Sequence, residues 1–212
     1  MEIIQLTVNS FGENTYILAD ETTKECAIID PGLSNNQEQE ALTKAVDKYG
    51  LKPTHLINTH LHIDHLLGND FVSKHYGVKL SANKADEPLG RNAKQQAKMF
   101  GMREEPGDPV IETYLNDGDE IHVGKSTLKV LAVPGHSPGS ICLYCPESKF
   151  VITGDALFSG SIGRTDLPGG DYDTLISSIE KKLMTLPDDT DVFPGHGPAT
   201  TIGNERRYNP FL

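Results

Sequence analysis

Short apolar runs, separated by turn residues, recur along the chain and predict β-strands. The first thirty residues hold three of them, EIIQLTV, NTYILAD and ECAIID, and the last ends at Asp-Pro-Gly. THLINTH follows as a single run. Strand-like runs return in the second half, as an alternating pair around a Gly-Lys turn and then as SICLYCP, KFVITGDALF and TDVFPGH. The pattern therefore predicts two groups of strands.

Helical periodicity occupies the stretches between these strands. The clearest amphipathic pattern lies near the C-terminus, where Leu175, Ile179 and Leu183 share one stripe. Strands in two batches, each followed by helices, favour an α+β fold in which two sheets pack together with helices outside. The predicted helices cover residues 38–49, 65–77, 84–102 and 172–186.

Composition adds little to the predicted fold, but it excludes several roles. The 212 residues include 19 Lys and Arg against 30 Asp and Glu, a net charge of −11. Such an acidic chain is poorly suited to gripping nucleic-acid phosphates or anionic lipid. No signal-peptide or membrane-span pattern occurs, and the three cysteines lack disulfide-framework spacing, so we expect a cytoplasmic protein. The length is typical of one domain covering residues 1–212.

The strongest chemical signal is THLHIDH, which completes an apolar run. His60 and His62 are two residues apart, so an extended backbone points both to one side, and Asp64 and His65 follow where a helix begins. Imidazole nitrogens and carboxylate oxygens are ligands for zinc, iron or manganese. The alternative is a chance cluster of surface histidines, but only about one shuffled sequence in a thousand would contain this pattern. The motif therefore predicts a metal site.

Three further candidate ligands stand at the ends of predicted strands. His136 and His196 each follow an apolar strand and Pro-Gly, and Asp155 follows an apolar strand and Gly154. Their placement matches that of the first motif, so we expect them at the same edge of the sheets. The other histidines have no such placement and are interpreted as nonligands: His55, His75 and His122.

Together these motifs resemble the metallo-β-lactamase-fold hydrolases, and within them the glyoxalase II (hydroxyacylglutathione hydrolase) group. The resemblance implies a four-layer αββα sandwich with its metal site along one edge of the two sheets. The tail is similar to that of the shorter bacterial form, which lacks the C-terminal helical domain that contacts glutathione. The matching segments are ENTYIL, AIIDPG, THLHIDH, PGHSPGS, TGDALF, GRTDLPGGD, PGHGPATT and ERRYNPFL.

The resemblance also implies two divalent metal ions per chain, with zinc expected and iron or manganese compatible with the same ligands. Asp64 and Asp155 are implied to be catalytic as well as metal ligands. By the family pattern, His60, His62 and His136 hold one ion, Asp64, His65 and His196 hold the other, and Asp155 bridges them.

The activity implied is hydrolysis of a small thioester such as S-lactoylglutathione. Two neighbouring metal ions lower the pKa of a shared water to about 7, and the resulting hydroxide would attack the thioester carbonyl. No Ser-His-Asp or Cys-His set is then required. Arg164, in the GRTDLPGG loop, is predicted to contact the substrate, and the alternative is an ion pair with Asp166 or a bond to a loop carbonyl. The oligomeric state is left open.

Other members of this fold supply alternative functions. Persulfide dioxygenases share the first motif, His136, Asp155 and a GRTD segment, but they use one iron held by two histidines and an aspartate. Class B β-lactamases generally lack a residue like Asp155, and RNA processing fits poorly with a charge of −11. A metal-dependent hydrolase of another ester or a lactone, and a binding protein without catalysis, are further alternatives.

Overall fold

Six strands form the first of two large sheets, in the order of the chain. In a computed structural model, which describes residues 1–102 and 106–212, the first three strands are antiparallel and the next three are added in parallel. The strands are β1 (Glu2–Val8), β2 (Glu13–Ala19), β3 (Glu25–Ile29), β4 (Lys52–Ile57), β5 (Leu80–Ala82) and β6 (Thr113–Tyr114).

The second half of the chain supplies the other large sheet and a small one. The two strands of the predicted hairpin pair around the Gly-Lys turn, as expected. The larger sheet contains β7 (Glu120–Val123), β8 (Ser126–Ala132), β9 (Ile141–Cys145), β10 (Phe150–Gly154), β13 (Asp191–Pro194) and β14 (Thr200–Thr201). Its strand order is β14-β13-β10-β9-β8-β7, and β11 (Leu157–Phe158) pairs with β12 (Ser161–Ile162) beside it.

Alternate side chains of the first sheet face two different apolar layers, because successive residues of a strand point to opposite faces. Leu18, Ala27 and Ile29 pack against β8, β9 and β10 of the second sheet. Ile17 and Ile28 face the other way and pack against helices. Every one of these side chains is fully or almost fully buried. The two sheets therefore share a central core.

Helices cover the outer face of each sheet and complete four layers. Five of those described pack on the first sheet or lie beside its end, and the last two pack on the second. The predicted α+β sandwich is thus confirmed. The helices are α1 (Asn36–Lys48), α2 (Ile63–Leu66), α3 (Asn69–Tyr76), α4 (Glu87–Arg91), α5 (Ala93–Met99), α6 (Tyr172–Ser178) and α7 (Ile202–Tyr208).

Two of the predicted helices are interrupted. The stretch 65–77 divides into α2 and α3, and the stretch 84–102 divides into a 3₁₀ turn, α4 and α5. The C-terminal amphipathic stretch begins as α6 and continues as a π-helical turn over Ile179–Leu183. None of the helices that the structure describes is both long and apolar enough to cross a membrane.

Candidate metal centre

The seven predicted ligand side chains come together where four strands end. The first motif follows β4 of the first sheet, whereas His136, Asp155 and His196 follow β8, β10 and β13 of the second. Both sheets therefore contribute to one edge of the sandwich. The α2 helix begins immediately after His62 and turns Asp64 and His65 back towards this edge.

Three imidazoles form the first group. Ligand nitrogens of His60, His62 and His136 all lie within 4.8 Å of one another, and all three side chains are buried. His62 Nδ1 lies 2.8 Å from His136 Nε2. Such convergence of imidazole nitrogens is the arrangement that a tetrahedral or higher-coordinate metal requires.

A carboxylate and two imidazoles form the second group. Atoms of Asp64, His65 and His196 also lie within 4.8 Å of one another. His196 Nε2 is 3.2 Å from Asp64 Oδ2, and His65 Nε2 is 3.8 Å from the same oxygen. This group is less enclosed than the first, because a quarter of the His196 side chain is exposed.

The Asp155 carboxylate lies between the two groups. Its Oδ1 is 3.4 Å from His65 Nε2, whereas its Oδ2 is 3.5 Å from His196 Nε2 and 3.7 Å from His136 Nε2. It is therefore close to histidines of both groups, as a bridging carboxylate would be. A different combination of Asp30, His60 and His65 also lies within 4.8 Å.

Glycine is required beside the second-sheet ligands. Gly135 has φ of 131°, and a Cβ there would collide with the backbone of Leu175. A Cβ on Gly195 would collide with the Asp155 carboxylate. The two Pro-Gly-His turns thus place histidines where no side chain on the preceding residue could fit.

Charge and burial favour metal-binding protonation states at His60, His62 and Asp155. Burial, together with the nearby His136, lowers the pKa of His62 to about 3, and burial also holds the pKa of His60 well below its usual range. Burial alone would raise the pKa of Asp155, but His65 and other imidazoles hold it below its ordinary value. Neutral imidazole and ionised carboxylate are the forms that bind metal. Against the effect of burial, nearby carboxylates raise the pKa of His65 and His196, so metal binding would displace a proton from these two rings.

Several buried atoms at the centre lack a hydrogen-bond partner among the described residues. They include His60 Nε2, His65 Nε2 and Asp155 Oδ1. A buried polar atom without a partner costs roughly 1–3 kcal/mol, so three together are unfavourable unless something binds them. Divalent cations would supply the missing partner to all three, and the residues therefore fit metal ions.

In four of these histidines, Nδ1 lies near a protein group outside the centre, so that Nε2 faces the centre. Such outer contacts set ring orientation and tautomer in metal sites. The backbone carbonyl acceptors also require a proton on Nδ1 of two of the rings. The contacts are Thr59 Oγ1 to His60 (3.1 Å), Asp30 Oδ2 to His65 (3.2 Å), the Arg164 carbonyl to His136 (2.8 Å) and the Phe11 carbonyl to His196 (3.2 Å).

A buried aspartate that sequence analysis did not single out connects the two ligand loops. Asp86 Oδ2 accepts hydrogen bonds from Leu61 N (3.1 Å) and Ser137 Oγ (2.7 Å), and Asp86 Oδ1 accepts one from Gly139 N (2.6 Å). Leu61 stands between His60 and His62, and Ser137 follows His136. One side chain thus joins the loops that carry the first group.

A buried glutamine has a similar role around His62. Gln96 Oε1 accepts a hydrogen bond from Ile63 N (3.1 Å), and Gln96 Nε2 donates to the carbonyls of Leu61 (3.2 Å) and Leu89 (2.9 Å). Its amide therefore holds the peptide groups on both sides of His62. Asp86 and Gln96 carry no motif in the sequence, since their role depends on tertiary contacts.

The predicted substrate-contacting arginine forms an ion pair. Arg164 Nε donates to Asp166 Oδ1 (2.7 Å) and Nη2 donates to Oδ2 (2.8 Å), which is the alternative raised by the sequence. The same side chain lines the cavity into which Asp64, Asp155 and His196 open. Contact between Arg164 and a substrate stays a prediction.

Comparison with known proteins places these features in a family. Residues 9–196 match the family described as the metallo-beta-lactamase superfamily. The chain is 39% identical to the hydroxyacylglutathione hydrolase GloC of Haemophilus influenzae, with 100% of this chain and 98% of the relative covered. It is 36% identical to the probable metallo-hydrolase YqgX of Bacillus subtilis, with 98% and 96% covered.

Solved structures lead to the same family. The BLEG-1 B3 metallo-beta-lactamase superposes with a TM-score of 0.90 at 33% identity, covering 100% of this chain and 99% of that one. TTHA1623 in a di-iron-bound form gives 0.86 at 36% identity, covering 99% and 100%. ETHE1 from Myxococcus xanthus gives 0.81 at 29% identity, covering 99% and 84%. The resemblance found in the sequence is confirmed, and the chain belongs to the metallo-β-lactamase superfamily.

Proposed function

We propose that this chain is a metal-dependent thioester hydrolase that holds two divalent metal ions and acts on a 2-hydroxyacyl-glutathione such as S-lactoylglutathione. One observation carries the proposal. The Asp155 carboxylate lies 3.4–3.7 Å from imidazoles of both ligand groups, so one residue is available to both ions. The second group, formed by Asp64, His65 and His196, gives a second ion a place beside the same carboxylate.

Two relatives support the finer parts of the proposal. GloC of Haemophilus influenzae is named as a hydroxyacylglutathione hydrolase, and the present chain aligns with it along its whole length. TTHA1623 has been crystallised in a di-iron-bound form, which supports two ions in a closely similar fold. We propose zinc as the ion, with iron or manganese as alternatives that the same nitrogen and oxygen ligands accept.

Each ligand has a defined part in this proposal. Bound divalent ions supply Lewis acidity and an activated water. The protein keeps His60 and His62 neutral and Asp155 ionised, and Nδ1 contacts fix the orientation of the other rings. His60, His62 and His136 would hold one ion, Asp64, His65 and His196 the other, and Asp155 both.

The cavity chemistry favours a thioester over an amide. Apart from Arg164, every titratable side chain among the described residues lining this cavity belongs to the proposed ligand set. None of the described side chains in this cavity is therefore left over to protonate a leaving group. A thiol has a pKa of about 8.5 and leaves readily as the anion, whereas an amine leaving group requires a proton. Thioester cleavage is thus favoured over amide cleavage, because it requires no general acid in this cavity.

The test combines metal analysis with parallel assays on the purified protein. We expect two ions per chain and hydrolysis of S-lactoylglutathione. Glutathione persulfide with an oxygen electrode tests the dioxygenase alternative, a β-lactam tests antibiotic hydrolysis, and a lactone tests the remaining hydrolase alternative. One iron per chain with oxygen uptake and no thioester turnover would overturn the proposal.

A further inference from the structure

A mainly apolar cleft runs away from the metal centre along α4 and α5. Leu89, Met99 and Phe100 form one wall, and Leu167 and Pro168 form the other. The side-chain amides of Asn92, between α4 and α5, and of Gln95 and Gln96 in α5 supply its polar part. The cleft is unlike the metal cavity beside it, which contains the charged and ionisable ligands.

The mouth of the cleft exposes large apolar side chains. Met99 is 61% exposed and Phe100 is 37% exposed, and Phe11, which lines the adjoining metal cavity, is 36% exposed. The rings of Phe11 and Phe100 meet edge to face with centroids 5.6 Å apart. Apolar side chains grouped at a concave site mark a place where an apolar ligand is bound.

The described residues that line the cleft are uncharged. No Lys, Arg, Asp or Glu is present among the lining residues that the structure describes. Arg91 of α4 is instead paired with Glu87, at 3.0 Å between Nη2 and Oε1. Glutathione carries two carboxylates and an ammonium group, and burying these against an uncharged wall would cost their solvation without a partner.

The cleft is continuous with the metal cavity. His62, Phe100 and Leu167 line both. Among the described residues that line the metal cavity, the one Lys or Arg is Arg164. If a thioester carbonyl lies near Asp155, one half of the substrate can extend past His62 into the apolar cleft. The other half then lies near the cationic Arg164.

We propose that the cleft binds an unbranched apolar acyl chain, so that the preferred substrates are thioesters whose acyl group is longer than lactoyl. This inference rests on the proposed thioester hydrolase function. The polar thiol half lies on the Arg164 side, and the acyl chain passes His62 and packs against Leu89 and Met99. Each methylene that leaves water for this wall adds binding energy.

Binding is tested with analogues that the enzyme cannot cleave. The probes are N-acetylcysteamine thioester mimics in which a methylene separates sulfur from the carbonyl, with acyl chains of increasing length. Calorimetry on the metal-loaded protein should show Kd falling roughly three- to fourfold per added methylene until the cleft is filled. It should also show an increasingly negative heat-capacity change. A Kd independent of chain length would overturn the inference, whether or not thioesters are hydrolysed.

A second series separates the two halves of the substrate. Here the acyl half is kept as acetyl, and an alkyl chain of increasing length replaces the thiol half. We expect little gain in affinity from this series. A gain confined to the thiol half would overturn the assignment of the cleft to the acyl chain.

Substitution of Met99 provides the matched variant. Met99 is exposed enough for Met99→Asp to fold, and the new carboxylate should abolish the gain in affinity with chain length. Val110→Asp places the same charge at a residue that is 72% exposed and does not line the cleft, and it should leave that gain intact. Equal effects of the two substitutions, or none from Met99→Asp, would contradict the proposal.

The results distinguish this inference from the proposed function. If affinity rises with acyl-chain length but no thioester is hydrolysed, the proposed function is refuted and the assignment of the cleft to the acyl chain stands. If S-lactoylglutathione is hydrolysed but neither affinity nor kcat/KM depends on acyl length, the assignment of the cleft to the acyl chain is refuted and the proposed function stands.

Discussion

At the residue scale, single side chains would decide whether the centre can hold the two ions that we propose. His136, Asp155 and His196 were identifiable from the sequence because each follows a strand and a glycine, and the other ligands were identifiable from the spacing in THLHIDH. Asp86 and Gln96 were not identifiable, because their hydrogen bonds join loops distant along the chain. A motif therefore predicts the ligands, whereas the groups that hold them depend on tertiary structure.

Asp155→Asn should remove activity and metal together. The amide has no negative charge to offer two cations, and the expected loss in kcat/KM exceeds the roughly 10- to 100-fold typical of outer-shell substitutions. Metal content, measured by elemental analysis after purification, should fall below that of the wild type. Asp173→Asn, at an exposed position of α6, is the matched control and should change neither quantity. Full activity in a normally loaded Asp155→Asn variant would refute the bridging role.

Gln96→Leu should weaken metal binding without touching a ligand. Leucine fills similar volume but leaves Ile63 N and the Leu61 carbonyl without a partner, which costs roughly 1–3 kcal/mol of stability. Since these peptide groups flank His62, metal affinity should fall about 10- to 100-fold. Urea unfolding and competition with a chelator measure the two effects. Gln95→Leu, at an exposed position, is the control. Equal losses of stability and metal affinity in both variants would show that Gln96 does not position His62.

At the element scale, helices near the centre are divided where their side chains bind the ligand loops. The stretch 84–102 has helical composition, but Asp86 turns towards Leu61 and Ser137, and Asn92 separates α4 from α5. The long strands and α1 followed their apolar pattern. The short strands β5, β6 and β14 were missed because two or three residues carry no periodicity.

Asp86→Asn should loosen the connection between the two ligand loops. The amide can accept through one oxygen only, so its NH₂ must face either Gly139 N or the Leu61 N and Ser137 Oγ donors. We expect roughly 1–3 kcal/mol lower stability and weaker binding of one of the two ions. Chelator titration with metal counting should resolve the two affinities.

The neighbouring Glu87→Gln tests whether that effect is specific. Glu87 forms a surface pair with Arg91, and such pairs contribute about 0–1 kcal/mol. The variant should bind both ions as the wild type does. If Glu87→Gln and Asp86→Asn lower metal affinity equally, the connection through Asp86 does not position the ligands.

At the scale of the whole molecule, the two sheets are joined at the end away from the metal centre as well as at the centre. Asp20, in the turn between β2 and β3, accepts hydrogen bonds through Oδ2 from Lys125 N and Ser126 Oγ, both at 3.0 Å. Lys125 lies in the turn that connects β7 and β8, and Ser126 is the first residue of β8. Asp20 therefore connects the sheets where the metal ligands cannot, and its contribution is separable from catalysis.

The pH dependence of unfolding should report this connection. Hydrogen bonds from Thr23 and the β7–β8 turn hold the pKa of Asp20 below its ordinary value. A lowered carboxyl pKa stabilises the fold at pH values above the unfolded pKa of about 3.9, and that contribution is lost as the pH falls below it. Near neutral pH, the free energy of unfolding of Asp20→Asn should therefore be lower than that of the wild type. On acidification, it should decrease less than that of the wild type. Urea midpoints between pH 3 and 7, measured with a chelator present, test this.

The exposed neighbour Glu21→Gln provides the comparison. It removes one negative charge from the same turn, but the Asp20 bonds to the second sheet stay in place. Its unfolding midpoints should follow the wild-type pH curve, and thioester turnover and metal content should be unchanged in both variants. An Asp20→Asn curve parallel to the wild type at every pH would show that the carboxylate charge is not what joins the sheets, because only a titrating group can make their difference depend on pH.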